Sequence, residues 1–245
     1  MRRRRTSLLL TAALVATTAA AAAVTDATVA HAAGQRIARA AACRLKPSGR
    51  VDAGLDSALG GLTALTGSLG GVHIDATGVQ RDHSDFDLHV ALDNVTTSGS
   101  YSSGTATATV PFGSLQQRLG SGHSGMTVGS DGSGLTLTGT AGQFGLPVVV
   151  HTALTTSADS LTVTPTTVTV MGRDVPVSTL ESFSGTSSLT GRLAPHTVDL
   201  SLPPGAGLRS ARAGSAGLVL VVALPSHTGT HGGASSGSGS SCTAG

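Results

Sequence analysis

"LTVTPTTVTVMGRDVP", residues 161 to 176, is the stretch on which the fold turns. Leu161, Val163 and Pro165 alternate on odd positions, whereas Val168 and Val170 alternate on even ones, so the apolar side changes parity between Thr166 and Thr167. Successive residues of a strand point to opposite faces, and one slip in that alternation predicts a β-bulge, which bends the strand and sharpens its twist. The run then meets Val175-Pro176, where pairing should stop because proline has no N–H to donate.

The same order of events occurs earlier in the chain. "TVPFGSLQQRL" from Thr109 aligns without gaps on "DVPVSTLESF" from Asp174, so that Val110-Pro111 falls on Val175-Pro176 and Leu115 on Leu180. Ser114 with Gln117, and Ser178 with Glu181, have capping-box spacing, which predicts a short helix beginning just after each serine. The unit is therefore a strand, a proline stop and one or two helical turns, used twice.

Outward from these units, strand patterns punctuated by glycine turns run from Val72 to Leu224. They cover Val72 to Val79, Ser84 to Val95, Gly104 to Val110, Met126 to Ser130, Gly134 to Gly139, Leu146 to Leu154, Leu161 to Val170, Thr197 to Leu202 and Leu218 to Leu224. Helical spacing is confined to the front: Ile37, Ala40, Ala41 and Leu45 make one apolar stripe that Pro47 would end, and "GLDSALGGLTALTGSLGG" from Gly54 makes a second, glycine-weakened one. The expected class is α+β, mainly antiparallel β, with short accessory helices. A curved sheet with an apolar trough and an ordinary β-sandwich with a closed core both fit this pattern. With no Trp, one Tyr and four Phe, the core has to be built from Val, Leu, Ile, Ala and Thr methyl groups.

Residues 1–32 are set apart. Arg2 to Arg5, the alanine-rich apolar run and "AHA" have the charge, core and small-residue cleavage site of a secretory signal, which predicts export to a periplasm-like space, the cell envelope or the medium. The pattern leaves the general and twin-arginine routes open. Residues 33–225 then form a single β-rich domain, and residues 226–245 a Gly/Ser-rich tail with little to bury. Removing residues 1–32 takes away four arginines and Asp26 and turns the net charge from +2 to −1, so no basic field for nucleic acid is left. Cys43 and Cys242 are the two cysteines. An oxidising compartment would allow a bridge between them, and two free thiols or a link to a partner are the other readings.

"HSDFDLH" supplies the sharpest polar cluster. On a strand His83, Asp85, Asp87 and His89 share one face, and a hairpin at Gln80 to His83 would bring His73 and Asp75 opposite them. These are metal-ligand types, which keeps a metal-dependent hydrolase as one alternative, but the alternation is equally that of a water-exposed sheet face. Gly233-Ala-Ser235-Ser-Gly237 matches the nucleophile-elbow pattern but lies in the Gly/Ser tail and not between a strand and a helix, and with no phosphate loop or redox cysteine pair in the sequence neither an enzyme nor a cofactor is expected.

Five stretches carry a family resemblance: "GGVHIDATGV" (70–79), "ATATVPFGSLQQRLG" (106–120), "GSDGSGLTLTG" (129–139), "LTVTPTTVTVMGRDVP" (161–176) and "VDLSLPPGAGLRSARAGSAGLVLVV" (198–222). Their order and spacing resemble the LmeA-type phospholipid-binding family of actinobacterial cell envelopes. The resemblance implies an exported protein on an elongated, curved β-sheet fold that cradles lipid tails, binds anionic phospholipid such as phosphatidylinositol, and supports assembly of envelope glycolipids. The stretch "TALTGSLGG" lacks the aromatic Gly-Phe-Pro element expected of the family, and the tail with Cys242 is an addition.

On that resemblance Val148, Val150, Leu161, Val163, Val168 and Val170 are the candidate acyl-groove residues. The acid-free set Arg36, Arg39, Arg44, Lys46 and Arg50 is the candidate site for a lipid head group or a peripheral membrane surface, with Arg209 and Arg212 second. The alternative from another class is a secreted structural or adhesion β-domain without ligand. The sequence leaves the oligomeric state undetermined.

Overall fold

The structure, a computed structural model, describes residues 31–32, 34–39, 41–43, 47–56, 67–81, 84–119, 126–141, 145–181 and 193–228. Its strands are β1 (Val51–Leu55), β2 (Ser68–Arg81), β3 (Ser84–Thr96), β4 (Ser103–Pro111), β5 (Thr127–Ser130), β6 (Leu135–Ala141), β7 (Leu146–Thr156), β8 (Ser160–Val170), β9 (Arg173–Pro176), β10 (His196–Asp199), β11 (Gly207–Ala213) and β12 (Gly217–Leu224). Helix α1 spans Phe112–Leu119 and α2 spans Val177–Glu181. Residues 34–39 and 41–43 are helical as well.

Two six-stranded antiparallel sheets result. The first has the order β1-β2-β3-β4-β12-β11, and the second β10-β8-β7-β6-β5 with β9 added beside β8. Neither closes into a barrel, in line with the mainly antiparallel α+β class and its open, bulged sheets.

The phase slip in β8 is a bulge. His151 pairs with Thr167 and the next residue, Thr152, pairs with Pro165, so Thr166 has no partner position on β7. The consequence is that Leu161, Val163, Pro165, Val168 and Val170 all stand on one face despite their mixed parity, level with Thr156, Leu154, Thr152, Val150 and Val148 of β7. A second bulge lies in β2, where Thr77 and Gly78 together oppose Asp87. Gly78 has a φ of +65°, and its N–H donates to Asp87 Oδ1 at 3.0 Å. In β11 the register shifts at Arg209.

Both proline stops occur where expected: Pro111 and Pro176 are the last residues of β4 and β9, and the helices start at the next residue. The capping boxes do not hold as read, because α1 begins two residues before Ser114 and α2 one before Ser178. With φ preset by its ring, each proline already supplies a helix-compatible lead-in. Three strands, β1, β9 and β11, lie outside the nine expected. The helical pattern from Gly54 is also corrected at both ends, since Gly54 and Leu55 belong to β1 and Ser68 to Gly71 to β2. Pairing with β2 and β3 overrides its i, i+3 spacing.

The apolar faces of the sheets meet around β11 and β12. Leu161 of β8 is buried with Leu208, Leu218 and Val222, and Leu154, Leu200 and Leu202 pack against them. Backbone N–H groups of Leu200 and Leu208 donate to the carbonyls of Asp159 and Ala158 in the β7–β8 turn, at 2.8 and 2.7 Å. Nearby, Val128, Leu135 and Ala213 form a smaller cluster with Phe112 and Leu115 of α1.

Candidate functional site

Register across the first sheet assembles one apolar face from six strands. Ala53, Ile74, Val90, Ala106, Val222 and Leu208 form one row, and Val51, Ala76, Leu88, Ala108, Leu220 and Ala211 the next. A third runs Leu55, Val72, Leu92, Gly104 and Leu224. The reverse face carries His73, Asp75, Asp87, His89, Thr105, Thr107 and Thr109.

The apolar face is unevenly covered. Val72 and Ala76 of β2 and Leu208, Leu218 and Val222 of β11 and β12 are buried, whereas Ile74, Leu88, Val90, Leu92, Leu220 and Leu224 are half-buried. Between the leucine-bearing strands β3 and β12 lies β4, which brings Gly104, Ala106 and Ala108, and at its end the larger Val110, to this side. These small residues form a low strip between two taller rows, and Ala106, Leu220 and Leu224 pack on the edge of the Leu161, Leu208, Leu218 and Val222 core. At one end the strip narrows, since a Cβ on Gly104 would stand 2.6 Å from Leu92 Cδ2 and 3.3 Å from Leu224 Cδ1. From Gly104 to Ala108 the strip is about 13 Å long at ~3.3 Å per residue, close to the ~15 Å depth of one acyl leaflet. The sequence held a signal for it, Gly104-Thr-Ala-Thr-Ala108, but its meaning depends on the neighbours.

The six residues expected to line a groove divide between two clusters. Val148, Val150 and Val168 are buried with Val177 of α2, with Val170 and Leu193 packed on them. Leu161 and Val163 belong instead to the core shared with β11 and β12. All six lie on the inner face of the second sheet and serve as packed core in this structure. Between the two groups stands Thr152, a buried hydroxyl that donates to the Leu135 carbonyl at 2.8 Å.

Of the basic set, Arg36 and Arg39 are exposed on the first helical stretch, and Arg44 and Lys46 lie outside the described residues. The helix touches the β1 edge of the apolar face at Gly34, where a Cβ would stand 2.6 Å from the Ala53 carbonyl oxygen. Arg50 joins β1 to the β2 bulge: its N–H donates to Thr77 Oγ1 at 3.0 Å, and its guanidinium lies 3.8 Å from Asp52 in an exposed ion pair. The set is therefore not free of acids in space. Arg209 and Arg212 are exposed on the edge strand β11.

The polar cluster disperses in the structure. The β2–β3 hairpin forms and sets Asp75 opposite His89, whose Nδ1–H donates to Asp75 at 2.6 Å. Asp87 is engaged with the Gly78 N–H, Asp85 is exposed, and His83 lies outside the described residues. Among the described residues no three His, Cys, Asp or Glu side chains gather as a metal site. His73 donates to Asp56 at 2.6 Å, with its ring resting on Gly54.

A third histidine pair, on the outer face of the second sheet, was not anticipated from sequence. Asp131 Oδ1 accepts the Ser133 hydroxyl and the N–H groups of Ser133 and Gly134, closing the β5–β6 turn, while Oδ2 takes His151 Nδ1–H at 2.8 Å. These bonds, the one from His151 first, hold the Asp131 carboxyl well below the usual carboxylate range. His151 Nε2 is 3.3 Å from Thr169 Oγ1, which donates to Asp174 at 2.5 Å. Cys43 is disulfide-bonded, and Cys242, the other cysteine of the sequence, lies outside the described residues.

Open antiparallel sheets, a long aliphatic face with a small-residue strip, and His–Asp pairs set on the reverse faces define a β-rich protein suited to an apolar ligand. The chain belongs to the LmeA-like phospholipid-binding family, whose family model matches residues 24–223. No curated protein and no solved structure matches it. The family is one of binding proteins rather than catalysts.

Proposed function

We propose that this protein holds an anionic phospholipid, phosphatidylinositol-like in charge, with acyl chains along the strip Gly104, Ala106 and Ala108 between β3 and β12. The observation that carries the reading is the half-buried state of Leu88, Val90, Leu92, Leu220 and Leu224 on an otherwise apolar face. Each methylene moved from water onto that face contributes ~0.8 kcal/mol, so ten contribute several kcal/mol before ordering costs. Val148, Val150, Leu161, Val163, Val168 and Val170 extend the apolar surface into the second sheet and admit a chain only if the two clusters part. Arg36 and Arg39, exposed beside the β1 edge, are the head-group candidates, with Arg44, Lys46 and Arg50 next to them in sequence.

Export supports a role at the cell envelope, in supplying or sensing lipid for glycolipid assembly. The arginine-led, alanine-rich N-terminus is the support for that step. The test is native mass spectrometry of residues 33–245 secreted from a lipid-containing host and purified without detergent. Near-stoichiometric phospholipid that leaves on organic extraction is the expected result. Bare protein that takes up no lipid from anionic vesicles would overturn the reading in favour of a ligand-free structural domain.

A further inference from the structure

We infer that the protein meets a phospholipid bilayer with one end of its second sheet, where Met171 enters the interface and Arg173 takes a lipid phosphate. The inference rests on the phospholipid reading above and names the surface through which that ligand is reached.

Among the described residues the exposed large hydrophobics are Met171, 72% exposed, and Leu146, 38% exposed. Single exposed apolar residues are ordinary, but these two share one end of one sheet. Val148 pairs with Val170, so Leu146 and Met171 continue β7 and β8 past the same last rung.

The backbone at Met171 suits another residue. Met171 and Gly172 form a two-residue turn with φ values of +51° and +78°, the mirror-image type in which Asn-Gly is favoured. Asparagine would meet both the left-handed backbone and water at lower cost. What methionine adds is a flexible apolar side chain at the outermost point of the hairpin, suited to an irregular lipid surface.

Charge is arranged to match. Near this end, over residues 126–128, 138–140, 145–149 and 168–175, the charged residues are Arg173 and Asp174. Arg173 is exposed and, among the described residues, has no ion-pair partner, while Asp174 accepts the Thr169 hydroxyl on the outer face. Asp159 and Asp199 lie at the opposite end of the sheet, whereas Asp131 sits midway along it beside His151. An anionic bilayer therefore meets the arginine and is kept from the acidic end. Behind the tip, Val148 and Val170 lead onto the inner apolar face.

The chain has no tryptophan, so Met171→Trp provides a single clean reporter. On phosphatidylcholine vesicles with about 30% phosphatidylglycerol, its emission should shift to the blue and be quenched by brominated acyl chains, while Asp159→Trp at the other end stays unchanged. Met171→Asn, which suits the turn and serves as the folded control, should lower vesicle partitioning about tenfold, and Arg173→Glu should do the same on anionic vesicles only. Aqueous emission from Met171→Trp in a protein that still loads lipid by native mass spectrometry would overturn this inference and leave the ligand reading intact. Unchanged partitioning of Met171→Asn would overturn it as well. Loss of both docking and loading would instead count against the phospholipid reading.

Discussion

Thr166 bulges out of β8 and donates its hydroxyl to the His151 carbonyl at 3.2 Å, so an extra residue is absorbed at a cost of one unpaired position. That bond lies where β7 changes from pairing with Thr167 to pairing with Pro165. It keeps Leu161 and Val163 on the same side as Val168 and Val170.

Deleting Thr166 should be tolerated. The shortened strand alternates regularly and still turns all four aliphatic residues inward, so we expect a loss of about 1–2 kcal/mol in urea unfolding. Deleting Val163 instead removes a core side chain and turns Thr164 inward, which should cost about 3 kcal/mol or more. Equal outcomes for the two deletions would count against the bulge.

Ala108 pairs with Leu88 and Leu220 on the half-buried face, while Thr107 beside it faces away with His89 and Val221. Ala108→Phe should fill the strip and reduce bound phospholipid about tenfold by native mass spectrometry, with thermal stability near that of the parent protein. Thr107→Phe should leave loading unchanged. A loaded Ala108→Phe protein would move the acyl site elsewhere.

The Asp131 carboxyl is held below its unfolded value, so it adds stability at pH above about 4, and that contribution fades as pH falls toward the depressed folded value. Asp131→Asn should therefore be less stable than the parent by about 1 kcal/mol at neutral pH, a modest figure because the pair is partly exposed. The difference should narrow below about pH 4 in urea titrations and would be flat with pH if the carboxylate contributed nothing.

Gly134 immediately precedes β6, and a Cβ there would overlap the Thr152 carbonyl oxygen of β7. Gly134→Ala should cost about 3 kcal/mol, since backbone rather than a movable side chain has to give way. Gly132→Ala, two residues earlier with open space around it but φ +88°, should cost about 1 kcal/mol. Differential scanning calorimetry of the two variants separates steric overlap from backbone strain.

Much of this was legible in the order of residues. The parity change at Thr166 announced the bulge, Pro111 and Pro176 marked where strands give way to helices, and the hairpin beneath "HSDFDLH" set Asp75 against His89. Strands β1, β9 and β11 were missed because "VDAGL", "RDVP" and "GLRSARA" have little alternation or β-branched content. Backbone bonds to longer neighbours hold them, and those bonds leave no trace in side-chain pattern.

By itself the sequence determined which residues are apolar, which alternate, where pairing must stop and, through five spaced motifs, the family. Only the tertiary structure decided which strands are neighbours. β12 inserts between β4 and β11, more than a hundred residues after β4, and so raises Leu220, Val222 and Leu224 beside Gly104, Ala106 and Ala108. Alternation assigns a residue to one of two faces of its own strand, but strand pairing is made by backbone groups common to all residues. The strip, the divided valine clusters and the shared end of Leu146 and Met171 therefore exist only once the sheets are assembled.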